Sequence, residues 1–518
     1  MMLHPVEART QPLEPRSITF SRSLRSNVRI TFKRGKTHSV IRCYATPSSP
    51  PGSMDVRTEP PVASWLGLGF LINGSDFTRK AVQKHGHVWK ANVLGAAIYG
   101  LAGDSGLRAF YDESNVARFP GMSKNLEQAA WVLKDDSGDP HYAIPPLDGT
   151  LLQPKEAAST ATIDSKMNWK QRKALFMAGI DSREAVETYI KALDAGISDT
   201  IAKLAASDSE FALWDTINSL VLGGLSKAFF GFGIADYELG EASMIDSIQT
   251  GYTVFDDKLG GASQKQKDAF KENVRYLREA LAQYRARPHK YPWAGLGRYL
   301  AAAEKLKMPE EDILMDMHQM ICVGAYGGVT SAAGCMAYSL AKNPEVRAMA
   351  KSEISANLGT ATPTFASLKQ LPYTFAVLKE CLRRWPIVHI VRGQSIKEIV
   401  VEGKVIPKDS TVIAALHGTM HDPTVYKDPE KFDPLRFMPP RNEGADEVWT
   451  GYQVVFGAGE SSSQHACAGK NTAMLMLFVL LVRLAQNWQW ELVSPWEHLV
   501  TNHFSPDPSN RLRMRRRV

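Results

Sequence analysis

The amino-acid sequence predicts a mainly α-helical fold with small β-sheets, and three observations support this fold class. Long stretches repeat apolar side chains at helical spacing and are rich in Ala, Leu, Lys and Glu. Two short regions carry β-type patterns punctuated by Gly and Pro. The chain has 518 residues, of which 44% are hydrophobic and 22% are charged, so it is long enough to bury a large core.

The predicted elements follow one another along the chain. The apolar runs 87–93 and 96–101 flank a glycine and predict a β-hairpin. Helical periodicity covers the ranges 169–234, 264–285 and 309–342. A second β-type patch predicts short strands joined by turns, at 399–401, 404–407 and 411–413. Because no linker or charge run interrupts the chain after residue 60, we expect residues 61–518 to form a single domain.

The first 46 residues differ from the rest in charge. They contain nine basic residues and two acidic ones, and removing these from the totals of 61 and 54 leaves 52 of each sign. The body is therefore neutral, which argues against a nucleic-acid partner. An Arg- and Ser-rich segment without an apolar h-region predicts a plastid transit peptide at 1–46, a Pro/Ser-rich linker at 47–60 and a chloroplast location. An unprocessed basic tail is the alternative.

No apolar stretch of about 20 residues lies near the amino terminus. We therefore expect no transmembrane anchor there, and any contact with a plastid membrane would be peripheral. The mean hydropathy of −0.22 is also not that of an integral membrane bundle.

Cys467 is the cysteine whose sequence setting suggests chemistry. It stands before Ala468, Gly469 and an apolar helix that begins near Thr472. The positive end of the helix dipole and nearby backbone N–H groups would favour its thiolate form, and a thiolate ligates iron. Gly469 would let a large flat group approach the backbone, so a single axial bond to haem iron is indicated. A buried inert cysteine is the alternative.

Order and spacing of further motifs resemble the cytochrome P-450 family over nearly all of residues 60–518. These are Glu380-Cys381-Leu382-Arg383, the segment 427–437 and the Cys467 segment. The resemblance implies the cytochrome P-450 fold, a haem b cofactor with axial thiolate, and a buried ionic triad of Glu380, Arg383 and Arg436. It also implies haem contacts from Phe456, Gly469, Trp169, Lys173, Arg172 and Arg392, with His465 in the position of a family arginine.

Two features depart from the family's monooxygenases. The distance from Gly459 to Cys467 is eight residues, which is four more than usual. The four extra residues, drawn from 460–464, enlarge a loop on the face where the family's redox partners dock. In the long helix, Gly327 and Gly328 occupy the places of the acid and threonine that relay protons. A shift of two residues would recruit Thr330 instead, and in either register the acid is missing.

A haem-thiolate enzyme without a proton relay can use a substrate that already contains an O–O bond. The string Ala325-Tyr326-Gly327-Gly328 resembles the fatty-acid-hydroperoxide branch, although Gly324 stands just before it in place of an asparagine. We therefore expect an enzyme that rearranges or cleaves lipid hydroperoxides without O₂ or reductase, with catalytic residues Gly324, Tyr326, Gly327, Gly328 and Thr330. The alternative is a plastid monooxygenase that acts on a carotenoid or lipid and receives electrons from ferredoxin.

Overall fold

We describe the protein from a computed structural model. The described residues are 19–22, 27–34, 37–44, 57–64, 74–93, 95–118, 169–205, 210–234, 238–239, 242–252, 263–444, 448–457, 466–487, 489–492 and 513–517. The chain forms two compact units, Met1–Arg57 and Thr58–Val518. In the first unit, strands β1 (Thr19–Arg22), β2 (Asn27–Arg34) and β3 (Thr37–Tyr44) pair antiparallel in chain order. The transit peptide and linker remain predictions.

The second unit is mainly helical, as the sequence predicts. Its α-helices in the described part are α1 (Gly74–His85), α2 (Gly103–Tyr111), α3 (Trp169–Phe176), α4 (Arg183–Ala205), α5 (Leu213–Phe229), α6 (Met244–Tyr252), α7 (Gln264–Ala286), α8 (Gly295–Lys305), α9 (Glu310–His318), α10 (Ser331–Lys342), α11 (Pro344–Asn357), α12 (Ser367–Gln370), α13 (Pro372–Arg384), α14 (Leu416–Met420) and α15 (Lys470–Asn487). Helix α7 begins with a capping box, in which the Ser263 side chain accepts from the Gln266 amide and the Gln266 side chain accepts from the Ser263 amide.

The strands of the second unit form small sheets. They are β4 (Val62–Ser64), β5 (Val88–Val93), β6 (Ala96–Leu101), β7 (Val116–Arg118), β8 (Glu210–Ala212), β9 (Glu238–Leu239), β10 (Ala242–Ser243), β11 (Ile390–Ser395), β12 (Ile399–Val401), β13 (Lys404–Ile406), β14 (Thr411–Ala415), β15 (Gln489–Leu492) and β16 (Arg513–Arg517). The largest sheet has the order β4-β5-β6-β14-β11-β7. Another sheet pairs β12 with β13, and a further one has the order β15-β16-β8. The predicted hairpin is β5 and β6, which pair antiparallel around Gly95 at φ +87°.

The long helix runs from Glu310 to Lys342, as predicted, but it is not a regular α-helix. Its middle segment, Gln319–Thr330, is a π-helix between α9 and α10. We attribute the change to the composition of this segment, because its glycines and β-branched residues have weak α-helix propensity. A π-helical segment inside an α-helix is frequently found at functional sites.

This helix is also the one described helix that is long and apolar enough to cross a membrane. Its 18-residue window has a mean hydropathy of 1.4, and 88% of that window is buried inside the protein. A long apolar helix that is buried to this extent is also typical of the core of a large domain.

The core is built around α15. Every residue of this helix from Leu475 to Ala485 is buried. Helices α4 and α5 approach closely because glycines face each other, and a Cβ at Gly196 would lie 2.4 Å from the carbonyl oxygen of Gly223. The packed body of α15 fixes its first turn, and Cys467 lies three residues before that turn.

Candidate metal centre

Backbone contacts hold Cys467 from two sides. Its amide donates to the carbonyl oxygen of Phe456 at 2.6 Å, which ties it to the 3-10 turn Tyr452–Phe456. Gly457 follows at φ +81°, a left-handed conformation that favours glycine. On the other side, the Lys173 ammonium of α3 donates to the carbonyl oxygen of Ala466 at 2.5 Å. The backbone before and at Cys467 is therefore anchored to two separate elements.

The surroundings of Cys467 act on its thiol in two opposite directions. The residue is exposed, yet enough protein surrounds it that burial raises the pKa of its thiol. The Gly469 amide, which donates to the sulfur, and the cations of Lys173 and Lys470 oppose that rise without overcoming it. The Gly469 amide acts in the direction that the sequence predicts, but desolvation outweighs it. A bound metal ion would supply the missing positive charge.

The glycines near Cys467 and on the long helix leave open space. A Cβ added at Gly469, two residues after the thiol, would meet no atom within 4 Å. The same holds for Gly328 on the π-helical segment, and Gly324 one turn earlier is exposed. Residues Lys470–Met474 of α15 are half-buried, in contrast to residues 475–485 of that helix. A soft ligand beside open space, next to a glycine that lets a group come close, suits one axial bond to haem.

The predicted residues of the long helix separate into two groups. Tyr326 is buried, and its ring packs edge-on against Trp214 of α5 at 5.9 Å, so it belongs to the core between these helices. Gly327 is buried, whereas Gly328 is half-buried beside open space. Thr330 is completely buried, and its hydroxyl has no hydrogen-bond partner among the described residues.

The implied ionic triad is present. Glu380 and Arg383 lie on α13 with a closest N–O distance of 2.7 Å, and Arg436 approaches Glu380 to 3.1 Å. All three side chains are fully buried. Arg436 also donates to the carboxylate of Glu443 at 2.6 Å, and its remaining bonds go to backbone carbonyls of the segment 427–431. Because each charge has partners, the triad fixes this segment in place.

The structure describes only some of the residues that are predicted to contact the haem propionates. Lys173 is engaged with Ala466, on the cysteine segment, as described above. Arg392 lies half-buried on β11. Trp169 and Arg172 lie on α3, but their side chains are outside the described residues, as is His465. The enlarged loop at 460–464 also lies outside them.

Sequence reasoning missed a carboxylate beside the site. Asp181 is 1% exposed and ends the π-helical turn Met177–Asp181 after α3. Its carboxylate accepts from the backbone amides of Thr472 at 2.7 Å and Asn471 at 3.3 Å. Burial raises the pKa of Asp181 to about 6 against these hydrogen bonds. The contact joins Asp181 to Thr472, 291 positions away along the chain, so no local sequence pattern predicts it.

Comparisons with known proteins agree with this geometry. A family profile described as cytochrome P-450 matches residues 124–509, more than half of the chain. Luvungin A synthase CYP716AC1 of Citrus sinensis is 32% identical over 199 residues, which is 38% of this chain and 40% of that protein. Cytochrome P-450 120 of Synechocystis sp. is 24% identical over 462 residues, 87% of this chain and 94% of that protein. Cyclooctat-9-en-7-ol 5-monooxygenase of Streptomyces melanosporofaciens is 25% identical over 289 residues, 53% and 61% respectively.

A solved structure described as retinoic acid bound cyanobacterial CYP120A1 has the same fold. It superposes with a TM-score of 0.67 at 21% identity and covers 89% of this chain and 99% of that one. Of the three relatives, the Synechocystis protein is matched over most of its length, whereas the chain spans less than two thirds of the other two.

Fold and site together define a haem-thiolate enzyme, in which a cysteine ligates haem iron. The chain belongs to the cytochrome P-450 family. The predicted fold class and cofactor are thereby confirmed. The narrower prediction of a hydroperoxide enzyme is not confirmed, because none of the three relatives is named for such a reaction and one is named a monooxygenase.

Proposed function

We propose that the protein is a monooxygenase that inserts one oxygen atom into a lipophilic small molecule, with Cys467 as the axial thiolate. The observation that carries the proposal is the Thr330 hydroxyl. It is buried without a hydrogen-bond partner among the described residues, on the π-helical segment that also carries Gly328. A buried hydroxyl that makes no hydrogen bond costs about 1–3 kcal/mol, so a role is needed to explain it.

Each residue has a definite task in this proposal. The haem, when bound, supplies the iron at which dioxygen is activated. Thr330 would hold a proton at its Oγ1 atom, and Gly328, which has no side chain, leaves open space on the same segment. Lys173 and Phe456 hold the backbone around Cys467, so that the sulfur stays in place during the reaction.

The composition of the π-helical segment also supports the proposal that the substrate is lipophilic. Apart from Gln319 and Thr330, its side chains are apolar or aromatic, and the described ones include buried Met320, Ile321, Ala325 and Val329. Pockets lined by such residues bury most of a small apolar ligand. The Streptomyces relative is named cyclooctat-9-en-7-ol 5-monooxygenase, and that name supports the proposed type of reaction.

A plastid location would provide the electrons. The excess of basic residues in 1–46 supports import, and the plastid supplies reduced ferredoxin as the electron donor.

Rearrangement of fatty-acid hydroperoxides is the second candidate, and one observation favours it. The segment Gln319–Thr330 contains no Asp or Glu that would pass protons to bound oxygen. In that reaction the substrate brings its own O–O bond, and the helix needs only to admit it.

A matched pair of substrates separates the two functions. Linolenic acid is incubated with O₂, NADPH, ferredoxin and its reductase, and 13-hydroperoxylinolenate is incubated with the ferric protein alone under anaerobic conditions. Retinoic acid serves as a second lipophilic test compound. Products that require both O₂ and reductant support the proposed monooxygenase, whereas anaerobic conversion of the hydroperoxide alone replaces it with the second function.

A further inference from the structure

Two distant segments meet next to the cysteine that precedes α15. Asp181 accepts from the amides of Thr472 and Asn471, and its Oδ2 atom also accepts from the Asn471 side-chain amide at 3.2 Å. The Thr472 hydroxyl donates to the carbonyl oxygen of Ile180 at 2.9 Å. The Tyr189 hydroxyl reaches the same carbonyl oxygen at 2.5 Å and lies 2.9 Å from Thr472 Oγ1. These bonds fasten the first turn of α15 to the segment that joins α3 to α4.

The bonds satisfy backbone groups that a helix leaves open. The first amides of α15 have no partner within the helix, and a carboxylate is a strong acceptor for them. The residue just before this helix, Gly469, donates its own amide to the Cys467 sulfur. The direction of that amide depends on where the first turn lies. Asp181 thus acts on the sulfur through the helix end, without touching it.

The charge of Asp181 reaches the same place. It acts electrostatically on Cys467, in the direction opposite to the cations of Lys173 and Lys470. These three charged groups surround the sulfur from α3, from the turn after α3 and from the start of α15. Removing the carboxylate would leave two cations beside the ligand.

We propose that Asp181 is a positioning residue for Cys467, which holds the Gly469 amide against the sulfur and, through its negative charge, favours ferric over ferrous iron. The proposal rests on ligation by Cys467 alone. It holds for a monooxygenase and for a hydroperoxide enzyme, so it stands or falls separately from the proposed reaction.

The test compares Asp181→Asn with a matched control, Asp194→Asn. Asp194 is also a buried acid that binds α15, but its partner is Arg483 near the other end, at 2.6 Å. Both variants are purified with haem and studied at pH 8. The measurements are the ferric–ferrous midpoint potential and the rate at which the ferrous carbon monoxide complex loses its thiolate-type Soret band.

We expect Asp181→Asn to raise the midpoint potential and to speed the loss of that band about tenfold, as for other residues that orient a metal ligand. Asp194→Asn should lower thermal stability but leave the potential unchanged. An unchanged or lower potential in Asp181→Asn, or an equal rise in both variants, would overturn the proposal.

A second measurement covers the case in which Asp181→Asn retains too little haem. Hydrogen exchange is followed on both proteins as purified, at the amides of Asn471 and Thr472. Exchange there should be at least several-fold faster in Asp181→Asn than in Asp194→Asn. Equal protection in the two variants would show that Asp181 does not hold this turn, and the proposal would fail.

Discussion

At the scale of single residues, Cys467 depends on its neighbours for its chemistry. Burial raises the pKa of its thiol, and the Gly469 amide and two lysines oppose this only in part. Without a metal ion, the Cys467 thiol therefore holds its proton more tightly than the thiol of a free cysteine does. Metal binding must displace that proton.

Replacing Cys467 by serine tests the ligand. We expect Cys467→Ser to lose the red-shifted Soret band of a thiolate-ligated ferrous carbon monoxide complex, because a serine hydroxyl supplies no thiolate. Cys322→Ser is the control, since that cysteine is buried in the core. A full thiolate-type spectrum in Cys467→Ser would assign the ligand elsewhere.

Thr330 offers a prediction in which stability and activity change in opposite directions. Thr330→Val removes a buried hydroxyl that has no partner among the described residues, so the free energy of unfolding should stay the same or rise by about 1 kcal/mol. Monooxygenase kcat should fall at least about 100-fold, because the proton at Oγ1 is lost. Thr330→Ser keeps the hydroxyl and should retain most activity. Equal turnover by the valine variant would contradict the assigned role.

At the scale of elements, the buried triad joins α13 to the segment that precedes the cysteine. Glu380→Gln weakens both of its ion pairs and leaves Arg383 and Arg436 as buried cations with less compensation. We expect a loss of about 3–5 kcal/mol in the free energy of unfolding, measured with urea, together with poor haem retention.

The control for this change is Glu430→Gln. Glu430 pairs with Arg79 and with Arg384, the residue after Arg383, but its side chain is 47% exposed. Its loss should cost less than about 1 kcal/mol because solvent screens the pair. Similar costs for the two variants would show that the triad is not a structural anchor.

His87 links three elements and predicts a pH dependence of stability. Its ring lies 2.7 Å from Asp422, after α14, and 2.9 Å from Glu402 in the β12–β13 turn. These carboxylates raise the pKa of His87 from 6.5 to about 10, while the pKa values of both acids are lowered. Ser105 and Thr424 donate to the same carboxylates.

The direction of this pH dependence follows from the pKa values that the three groups have in the unfolded chain. The contribution of His87 is fully present below pH 6.5 and is lost as the pH rises through about 10, whereas that of the two acids is lost in acid. Urea unfolding between pH 6 and 10 should therefore show a decline that His87→Gln removes and His85→Gln keeps. A His87→Gln protein with the same alkaline decline would refute this account.

At the scale of the whole molecule, the amino-terminal segment should be removed after import into plastids. All the excess positive charge lies in residues 1–46. Their share of the 57.3 kDa chain is about 5 kDa, and an import assay should show a product smaller by that amount. Recovery of a protein that still begins at Met1 from plastids would contradict processing.

The sequence by itself determined the class of fold and predicted which cysteine ligates the iron. Both follow from local sequence patterns. Helical periodicity predicted α4, α5, α7 and the long helix, and alternation around a glycine predicted the β5–β6 hairpin. The order of the Glu380, Arg436 and Cys467 segments indicated the family, because each short motif keeps its spacing whatever the rest of the chain does.

The tertiary structure decided how these parts act on one another. The position of the Tyr326 ring depends on packing against Trp214 of α5. The Asp181 cap joins residues 291 positions apart, and the raised pKa of the Cys467 thiol comes from atoms of several segments. Burial and electrostatics sum over everything that is near in space, and the sequence lists only what is near along the chain.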